Sequence, residues 1–584
     1  MLKFLLVSAL ILLNSGFPVD AAAAGGSVIS SNWKSDWAVA EGFSIRIDTE
    51  GYTLPSAIAF VPNPGKGPKD PFYFITELKG KIKVITNDRT VFTFAEDFFR
   101  LRTPKEPPSL EGQSGLAGIC LDPDRGYIFA TFAYQDQGAV LRNDIVRFQS
   151  TPLTFSLKAT GLARIAPVFA SEVSSASHQV GPCQVKDGLL YVGVGDGARP
   201  AQTRQLDLTF GKILRMTADG KPVKSNPFYQ DDNERKARNY VWAYGFRNPF
   251  SMKFIGDRLF AGDNGTFVDR FVEVRKGNDY LWNGTTWSVG TNAFAVVARA
   301  IGPVQLDYYT GQPAVLPKEF VRSLFVAASG TDPDFPQVRQ RSGVVFFGFD
   351  VDATKVTSAP DYLLRYRGNT FQMLVGLALG PDALYAVPLL PDSDGRSAVL
   401  KIVYDPKQAH PFTLDQEADP ITLIDRKGCL GCHTLYGVGG ARAPALDREA
   451  LVDRLQARLN SKAYVELIGQ LDRLTAEPYS TNREARRQVL AATGVQRVRV
   501  WVRNQIRTPG FDNPGSQMPN LGVSERETSI LVNYLVGTAE RDDVYARIRR
   551  RLLGRYRTYL YASVGFMGGF VAGLVLLTLV RTRR

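Results

Sequence analysis

The sequence predicts an all-β six-bladed β-propeller, followed by a smaller all-α domain and a C-terminal transmembrane helix. Three observations lead to this fold class. Six short apolar strands recur at intervals of 55 to 69 residues between positions 32 and 407. A CxxCH motif follows this region, and 22 consecutive residues near the end of the chain carry no charge.

The composition of the 584-residue chain is that of a globular protein, with 44% hydrophobic and 22% charged residues. It excludes a largely disordered, collagen-like or polytopic membrane protein. The 53 glycines and 34 prolines favour a turn-rich β body over a helical bundle. Of the net charge of +13, +8 lies in residues 541–584, which contain ten Arg and two Asp. Because this excess surrounds an apolar segment, it indicates a membrane and argues against a nucleic-acid partner.

Residues 1–24 have the pattern of a secretory signal peptide. Lys3 precedes the apolar stretch Phe4–Leu13, and the small residues Ala21–Ala24 offer cleavage sites. The alternative is an uncleaved N-terminal anchor. The stretch is short for that role, because a membrane-spanning helix needs about 20 apolar residues.

The uncharged stretch 559–580 is long enough to cross a bilayer and predicts a transmembrane helix, with a buried core helix as the alternative. Six Arg lie just before it, between residues 547 and 557. Charge counting alone would place that side in the cytoplasm, but long domains translocate largely regardless of charge. Following the signal peptide, we expect an inner (cytoplasmic) membrane protein with its folded domains on the periplasmic side.

The large domain, residues 32–407, contains six similar apolar strands, each followed by Gly or a polar turn. They start at positions 72, 127, 190, 259, 324 and 384. Six such units predict six blades with four strands each and long loops. Periodicity alone leaves an array of β-sandwiches open.

Cys120 and Cys183 each lie seven residues before the apolar strand of their unit, so they hold matching positions in consecutive blades. A disulfide between them is possible in an oxidising compartment. Two separate buried thiols, acting as small apolar residues, are the interpretation we favour from sequence.

Cys429, Cys432 and His433 form the CxxCH motif, which is typical of covalent c-type haem. The two thiols would form thioethers, and His433 would bind the iron. A zinc or redox CxxC site is the rival interpretation. Met518 is the expected sixth ligand, since the other Met after the motif lies in the predicted membrane span. A bis-His site using His410, or an ordinary buried Met518, are alternatives.

Pro444 follows the motif, and Ser524–Leu535 reads as a closing helix with apolar residues at helical spacing. With these features, residues 419–540 resemble a class I cytochrome c domain. Met518 and Pro444 match the axial-Met and Pro positions of that family. The resemblance implies an electron-transfer haem c.

Three segments of the large domain carry a second resemblance. They are Gly112–Gly118, with the sequence GQSGLAG; Ser177–Asp196, which contains SHQVG and LYVGVGD; and Gly211–Phe250, which contains GKILR and YGFRNPF. Their order and spacing resemble the pyrroloquinoline quinone (PQQ)-dependent glucose/sorbosone dehydrogenase family. The resemblance is good from about residue 32 to 284 and looser to 404.

This resemblance implies a six-bladed propeller with PQQ and calcium in its central cavity. His178 matches the family's catalytic base, and Gln113 matches a polar residue near the quinone. Arg247 and Asn248 match quinone-contacting residues. The chemistry agrees, since a neutral His suits removal of a hydroxyl proton near pH 7, and an Arg can stabilise negative charge developing on a quinone oxygen.

The chain departs from the family pattern at two places. Ser177 stands where Asp commonly precedes the catalytic His, so a nearby carboxylate that could orient the imidazole is missing. Asp279–Asn283, with the sequence DYLWN, replaces Asn-Tyr-Gly-Trp-Pro, whose backbone carbonyls help to hold calcium. These changes weigh against the calcium site. Arg396 and Lys401 are candidates for pairing with the PQQ carboxylates.

The sequence thus predicts a membrane-anchored periplasmic quinohaemoprotein dehydrogenase. It would oxidise an aldose or related alcohol or aldehyde and pass electrons from PQQ to haem c. A downstream cytochrome or terminal oxidase of the respiratory chain would accept them. The alternative is an electron-transfer cytochrome c subunit of a respiratory complex, with a non-catalytic propeller for docking. A metal-dependent propeller lactonase would need inward carboxylates, for which Asp196 and Asp263 are the candidates.

Overall fold

The computed structural model describes residues 33–98, 114–136, 140–170, 172–266, 268–285, 288, 292–298, 300–330, 342–368, 371–407, 414, 420–477, 479–513 and 515–537. The predicted signal peptide and the predicted transmembrane helix lie outside these residues. Within the ranges described, no helix is long and apolar enough to cross a membrane.

The larger part of the chain consists of six antiparallel sheets. In chain order the strands are β1 (Trp37–Val39), β2 (Phe43–Glu50), β3 (Pro55–Phe60), β4 (Pro71–Glu77), β5 (Lys81–Thr86), β6 (Val91–Ala95), β7 (Gly115–Asp122), β8 (Tyr127–Gln135), β9 (Leu141–Gln149), β10 (Gly161–Arg164), β11 (Val180–Lys186), β12 (Leu189–Val194), β13 (Lys212–Thr217), β14 (Val241–Tyr244), β15 (Ser251–Ile255), β16 (Arg258–Asp263), β17 (Val268–Val274), β18 (Ala295–Ala298), β19 (Pro303–Tyr309), β20 (Ser323–Ala328), β21 (Gly343–Asp350), β22 (Lys355–Val356), β23 (Asp361–Tyr366), β24 (Leu374–Leu379), β25 (Leu384–Pro388) and β26 (Ala398–Tyr404). Short 3-10 helices lie at Trp33–Asp36, Pro167–Phe169, Pro200–Gln202, Ala237–Tyr240 and Lys318–Phe320.

The sheets are the blades of a closed ring. Blades 1 to 4 are β3–β6, β7–β10, β11–β14 and β15–β18; blade 5 is β19–β23 with β1, and blade 6 is β24–β26 with β2. The first strands of neighbouring blades contact one another around the circle, from β3 through β7, β11, β15, β19 and β24 back to β3. This closure confirms the six-bladed β-propeller. It also rules out the sandwich array.

Each of the six apolar strands recognised in the sequence is the second strand of its blade: β4, β8, β12, β16, β20 and β25. All six residues of β20 and all seven of β4 are buried. Neighbouring blades cover both faces of these strands, so the strands read as continuous apolar runs and show no alternation of apolar and polar residues. This is why the period was visible in the sequence.

A disulfide joins Cys120 on β7 to Cys183 on β11, with Cα atoms 5.7 Å apart. The interpretation favoured from sequence, two separate buried thiols, is therefore wrong. The physical reason lies in the ring. β7 and β11 are the first strands of adjacent blades and contact each other, so matching positions on them come within disulfide reach.

Residues 420–537 form a separate helical unit with a core of its own. Its helices are α1 (Pro420–Arg426), α2 (Arg448–Leu459), α3 (Lys462–Arg473), α4 (Arg483–Ala491), α5 (Gly494–Arg507) and α6 (Glu525–Val536), with a 3-10 turn at Cys429–Gly431 and a small hairpin of β27 (Thr434–Leu435) and β28 (Val438–Gly439). The first helix, α1, contacts the last, α6. Ser524 and Glu527 form a capping box at the start of α6, which confirms the predicted closing helix to within one residue at each end.

The helical unit meets the propeller through a cluster of charges. Lys427 Nζ lies 2.9 Å from Asp361 Oδ2 at the start of β23, and Arg426 Nε lies 3.6 Å from Asp361 Oδ1. Both cations also pair with Glu527 on α6. The side chains of Lys427 and Arg426 are only 4% exposed and that of Asp361 is 31% exposed, so the two cations are shielded from water at this contact between the units.

Candidate active site

The predicted catalytic residues gather at one rim of blades 3 and 4. His178 lies two residues before β11, and Asp196 lies two residues after β12. Arg247 and Asn248 lie between β14 and β15, and Asp263 ends β16. Because the strands are antiparallel, the start of a first strand and the end of the second lie at the same edge of the sheet. The blades therefore bring together residues that are far apart in the sequence.

His178 is held by a carboxylate that the sequence reasoning did not assign to it. Its Nδ1 lies 2.6 Å from Asp196 Oδ1. The other oxygen, Asp196 Oδ2, accepts a 2.7 Å hydrogen bond from the Trp282 indole nitrogen. The backbone N–H of Ala198 also donates to Oδ1, over 2.9 Å. The expectation that His178 lacks a nearby carboxylate is therefore wrong, because Asp196 supplies one from the end of the next strand, 18 residues beyond His178.

The charge state of Asp196 follows from these contacts. Burial acts to raise its pKa, but the hydrogen bonds from His178, Trp282 and Ala198 outweigh burial and leave the pKa below its usual value. An ionised carboxylate can only accept hydrogen bonds, so the Nδ1 of His178 must carry a proton. In a neutral imidazole this places the lone pair on Nε2, the tautomer that a general base needs.

The backbone around His178 is tightly determined. His178 adopts a left-handed conformation with φ of 53°, and its carbonyl accepts a hydrogen bond from the Gly197 amide. A Cβ on Gly195 would lie 2.5 Å from the His178 carbonyl oxygen and 2.6 Å from Asn248 Oδ1. Glycine at this position therefore allows both His178 and Asn248 to approach closely.

Asp263 fixes the second half of the site. Its Oδ1 accepts a 2.6 Å hydrogen bond from the backbone N–H of Asn248, and its Oδ2 accepts a 3.3 Å hydrogen bond from the backbone N–H of Arg247. The Arg247 guanidinium donates to the Asn264 carbonyl over 2.7 Å and lies 5.9 Å from the centre of the Trp282 ring. Trp282 thus links both predicted catalytic groups, through Asp196 on one side and Arg247 on the other.

Three side-chain amides of the site carry a buried oxygen without a hydrogen-bond partner among the described residues. They are Asn248 Oδ1, Gln179 Oε1 and Asn264 Oδ1. Such atoms are costly to bury unless something bonds to them, and an amide can turn either its oxygen or its N–H₂ to a ligand. These atoms fit a polar, planar cofactor such as PQQ, which offers both donors and acceptors. Gln179 lies within the SHQVG motif, but no role for it was predicted from the sequence.

The remaining sequence candidates are placed differently. Gln113 lies outside the described residues, although Ser114, the next residue, accepts a 3.5 Å hydrogen bond from Gln179. Arg396 pairs with Asp392 and Asp394 within its own turn. Lys401 pairs with Asp382. Both cations are thus engaged locally in blade 6.

The lactonase alternative has no support in the described residues. Asp196 is used by His178 and Trp282, and Asp263 is paired with the buried Arg270. Within the ranges described, no group of three or more His, Cys, Asp or Glu is arranged to hold a metal ion.

The turn expected to hold calcium, Asp279–Asn283, already has donors on three of its carbonyl oxygens. Tyr280 O accepts from Arg270 Nη1 at 2.7 Å, and Trp282 O lies 3.2 Å from Thr203 Oγ1, whose single proton it shares with the Pro200 carbonyl at 2.9 Å. Asp279 O accepts from the Asn292 side-chain amide at 3.1 Å. The residues present therefore do not fit a calcium ion at this turn.

The CxxCH motif follows α1. Cys429 begins the 3-10 turn, and both Cys429 and Cys432 are free thiols. The His433 Nδ1 lies 2.7 Å from the Pro444 carbonyl, a contact that fixes the ring and directs Nε2 away from it. Burial lowers the pKa of His433, against the opposing effect of that hydrogen bond. The predicted roles of Cys429 and Cys432 as thioether attachment points and of His433 as an iron ligand stay predictions.

Met518 follows α5 and is half-buried, with its sulfur 3.5 Å from the Gln505 amide nitrogen. Two predicted positions, Pro444 and His433, are in direct contact. The role of Met518 as sixth ligand stays a prediction. His410, the competing ligand, lies outside the described residues.

Comparisons with known proteins bear on the propeller. The chain is 27% identical over 227 residues to Aldose sugar dehydrogenase YliI of Escherichia coli (strain K12), a match covering 36% of this chain and 55% of that relative. Among solved structures, the PQQ-bound form of aldose sugar dehydrogenase from Streptomyces coelicolor is 21% identical, with 62% of this chain and 100% of that chain covered and a TM-score of 0.45.

The soluble aldose sugar dehydrogenase from Escherichia coli, in its apo-form, is 18% identical over 62% of this chain and 99% of that chain, with a TM-score of 0.46. Residues 53–301, which contain His178, Asp196, Arg247, Asn248 and Asp263, match the family described as Glucose / Sorbosone dehydrogenase. The propeller of this chain thus carries a match to the Glucose / Sorbosone dehydrogenase family over residues 53–301.

Proposed function

We propose that this chain is a PQQ-dependent dehydrogenase that oxidises an aldose or a related alcohol or aldehyde and passes the electrons to a haem c on its helical unit. One observation carries the proposal. Within the stretch that matches the family, an ionised Asp196 holds His178 in the tautomer of a general base, beside Arg247 and Asn248. Such a constellation suits removal of a hydroxyl proton.

In the proposed reaction His178 Nε2 takes the proton of the substrate hydroxyl as the neighbouring C–H bond breaks. Asp196, 2.6 Å from Nδ1, stabilises the imidazolium that forms. PQQ, when bound, supplies the acceptor for the two electrons and the hydrogen that leave the carbon. The Arg247 guanidinium, held by Asn264 and by the face of Trp282, provides positive charge for an anionic oxygen in the site.

The residues that would hold PQQ are those with unsatisfied buried amides, Asn248 and Gln179, together with Arg247. Asp263 keeps the backbone of Arg247 and Asn248 in place through two hydrogen bonds. A role for Gln113 rests on the resemblance alone. Calcium is not part of the proposal, because three carbonyls of the Asp279–Asn283 turn already have protein donors.

The haem half of the proposal is supported by local geometry in residues 420–537. Cys429 and Cys432 would form the thioethers, and His433 would bind iron through Nε2, with its ring oriented by Pro444. Met518 would complete the ligand set. The helical unit follows the propeller in one chain, so the haem would act at the high effective concentration of an intramolecular partner.

We further propose that the chain is exported and anchored in the inner membrane by residues 559–580. The Cys120–Cys183 disulfide supports an oxidising compartment, since such bonds are rare in the cytosol. The electron acceptor would then be a periplasmic cytochrome or a terminal oxidase. The substrate would be a small sugar or aldehyde.

The test is reduction of the haem by substrate. Purified, haem-loaded full-length protein is mixed with PQQ, and the c-type absorption band is followed after addition of each member of a panel of aldoses and aldehydes. We expect substrate-dependent reduction that His178→Ala abolishes and that the neighbouring control Ser177→Ala preserves. Reduction by dithionite checks that the haem is competent in every variant.

One observation favours the alternative function. The altered turn at Asp279–Asn283, with its carbonyls bonded to protein donors, would also arise in a propeller that has lost its cofactor and serves for docking. A folded, haem-loaded protein that neither binds PQQ nor is reduced by any substrate would overturn the dehydrogenase proposal. It would leave an electron-transfer cytochrome with a non-catalytic propeller.

A further inference from the structure

Arg270 on β17 is a fully buried charge, with 0% of its side chain exposed. Through Asp263 it lies one residue away from the Arg247–Asn248 loop of the candidate site. A guanidinium removed from water is costly unless its charge is compensated. The groups that compensate the charge of Arg270 indicate its structural role.

The surroundings of Arg270 are rich in oxygen atoms. Its hydrogen bonds run to Asp263 Oδ2 from Nε at 2.9 Å and from Nη2 at 2.8 Å, to Tyr280 O at 2.7 Å, to Ser288 O at 3.3 Å and to Gly245 O at 3.3 Å. One carboxylate and three backbone carbonyls are the kind of hard oxygen ligands that a protein offers to Ca²⁺. Here they surround a planar organic cation with five N–H donors.

This arrangement leaves no place for a metal ion among the same ligands. Tyr280 O is 2.7 Å from Arg270 Nη1, a hydrogen-bond distance with no room for an ion between the two atoms. Asp263 and Arg270 already neutralise each other, so an added divalent cation would place two uncompensated charges deep in the interior. Such a charge costs several kcal/mol even after relaxation.

The Arg270 cation is also connected to the candidate site. It orients Asp263, whose two oxygens hold the backbone amides of Asn248 and Arg247. It also binds the carbonyls of Gly245 and Tyr280, which flank the loop bearing Arg247 and the turn bearing Trp282. One buried cation therefore ties together the three segments that position the site, as a structural metal ion would.

We propose that the Arg270 guanidinium takes the place of calcium in this propeller. The chain then binds no divalent cation at the Asp279–Asn283 turn, and Arg270 acts as a positioning residue that holds the Arg247–Asn248 loop. This inference does not depend on turnover or on PQQ binding, because its readouts are metal content and stability.

The experiment starts with the wild-type full-length protein. After dialysis against EGTA and then against Ca²⁺, the Tm is compared and bound calcium is measured by elemental analysis. Calcium bound at 100 times its Kd would raise the Tm of a propeller of this size by about 3 °C. We expect no such shift. Tb³⁺, a luminescent probe for calcium sites, should give no signal excited through Trp282, judged against Trp282→Phe.

A charge-reversal variant provides the measurement in which an effect of calcium is expected. Arg270→Glu places a carboxylate among the same oxygens, and we expect its Tm to become dependent on Ca²⁺, with the rise of about 3 °C that the wild type lacks. Lys83→Glu, on β5 of blade 1, is the matched control and should show no calcium dependence, because the Lys83 ammonium donates to Thr93 and pairs with no carboxylate among the described contacts. If Arg270→Glu does not fold, Arg270→Gln tests the same point, since loss of the cation should lower the Tm of folded protein.

Two results would overturn the inference. One is a wild-type protein that holds about one Ca²⁺ per chain, loses stability in EGTA and sensitises Tb³⁺ through Trp282. The other is an Arg270→Gln protein as stable as the wild type. Either outcome is separable from failure of the proposed dehydrogenase activity, which is read from PQQ binding and haem reduction.

Discussion

Replacing Asp196 by Asn tests the contact on which the proposed chemistry depends. The Asp196 carboxylate accepts hydrogen bonds at both oxygens, from His178 at 2.6 Å and from Trp282 at 2.7 Å. An amide has only one oxygen and cannot accept on both sides. Turning the oxygen to Trp282 and the N–H₂ to His178 keeps both side-chain hydrogen bonds and gives up the one from the Ala198 backbone N–H.

In that arrangement the introduced side-chain amide donates to Nδ1 of His178, so the proton of the neutral imidazole moves to Nε2. The atom that should accept the substrate proton is then protonated. General-base catalysis contributes about 10²- to 10⁴-fold. We therefore expect kcat to fall by about that factor, equivalent to about 3 to 5 kcal/mol of lost transition-state stabilisation, with little change in KM.

The assay is single-turnover reduction of PQQ-loaded protein by an excess of aldose, with PQQ affinity and Tm measured separately. Asp257→Asn is the matched control. It removes a carboxylate that is 91% exposed and pairs only with Lys186 among the described contacts, so its rate should be that of the wild type. A folded, PQQ-loaded Asp196→Asn protein with a kcat within about threefold of wild type would refute the assignment, since a twofold or threefold effect lies far below a general-base contribution.

Three further outcomes follow from the structure. Leu281 has a left-handed φ of 61°, which costs a non-glycine residue about 1 to 2 kcal/mol. Leu281→Gly should therefore raise the unfolding midpoint in urea by the equivalent of up to about 1 kcal/mol, and a lower midpoint would contradict this. Replacing Cys120 and Cys183 together by Ser opens a 63-residue loop and should lower the free energy of unfolding by about 4 kcal/mol. Reductant should have the same effect on the wild type. A double variant as stable as the wild type would contradict this. Burial lowers the pKa of Lys212 to about 7, so between pH 7 and about 10 the unfolded chain binds one more proton at this residue than the folded chain does. The free energy of unfolding should therefore rise with pH in this range by up to about 1.4 kcal/mol per pH unit, relative to Lys212→Met. A difference between the two proteins that does not change with pH would count against this.

The sequence predicted the propeller because its strongest signal is local. The second strand of each blade is covered on both faces, so strands such as Leu324–Ala328 appear as uninterrupted apolar runs at a regular period. The exposed outer strand Gly161–Arg164 has no such signal. The closure of the ring was also beyond a local pattern, since Trp37–Val39 and Phe43–Glu50 pair with strands more than 300 residues away.

The residues of the candidate site also fall into two groups: those that a local motif reveals and those that only the packing of the blades brings together. His178, Arg247 and Asn248 were recognisable because each lies in a short motif. The partner of His178 was sought at the adjacent position 177, whereas it lies 18 residues further on, at the end of a buried strand. A polar residue that closely follows the apolar run Leu190–Val194 was the available signal. Trp282 and Arg270 lie much further along the chain and gave no local cue, because only the packing of blades 3 and 4 brings them to the site.

Blade 4 connects the two halves of the proposed electron path. Its strands β15–β17 carry or flank Asn248, Asp263 and Arg270, while its outermost strand, β18, contacts the turn that begins at Cys429. The motif proposed to hold the haem therefore contacts the same sheet that positions the proposed cofactor site. The pairs of the shielded cations Lys427 and Arg426 with Asp361 hold this contact on the adjacent blade 5. If electrons pass within one chain, as we propose, the contact between β18 and the Cys429 turn helps to set the separation of the two centres. Weakening the Asp361 pairs would then slow haem reduction and leave the first, substrate-oxidising step unchanged.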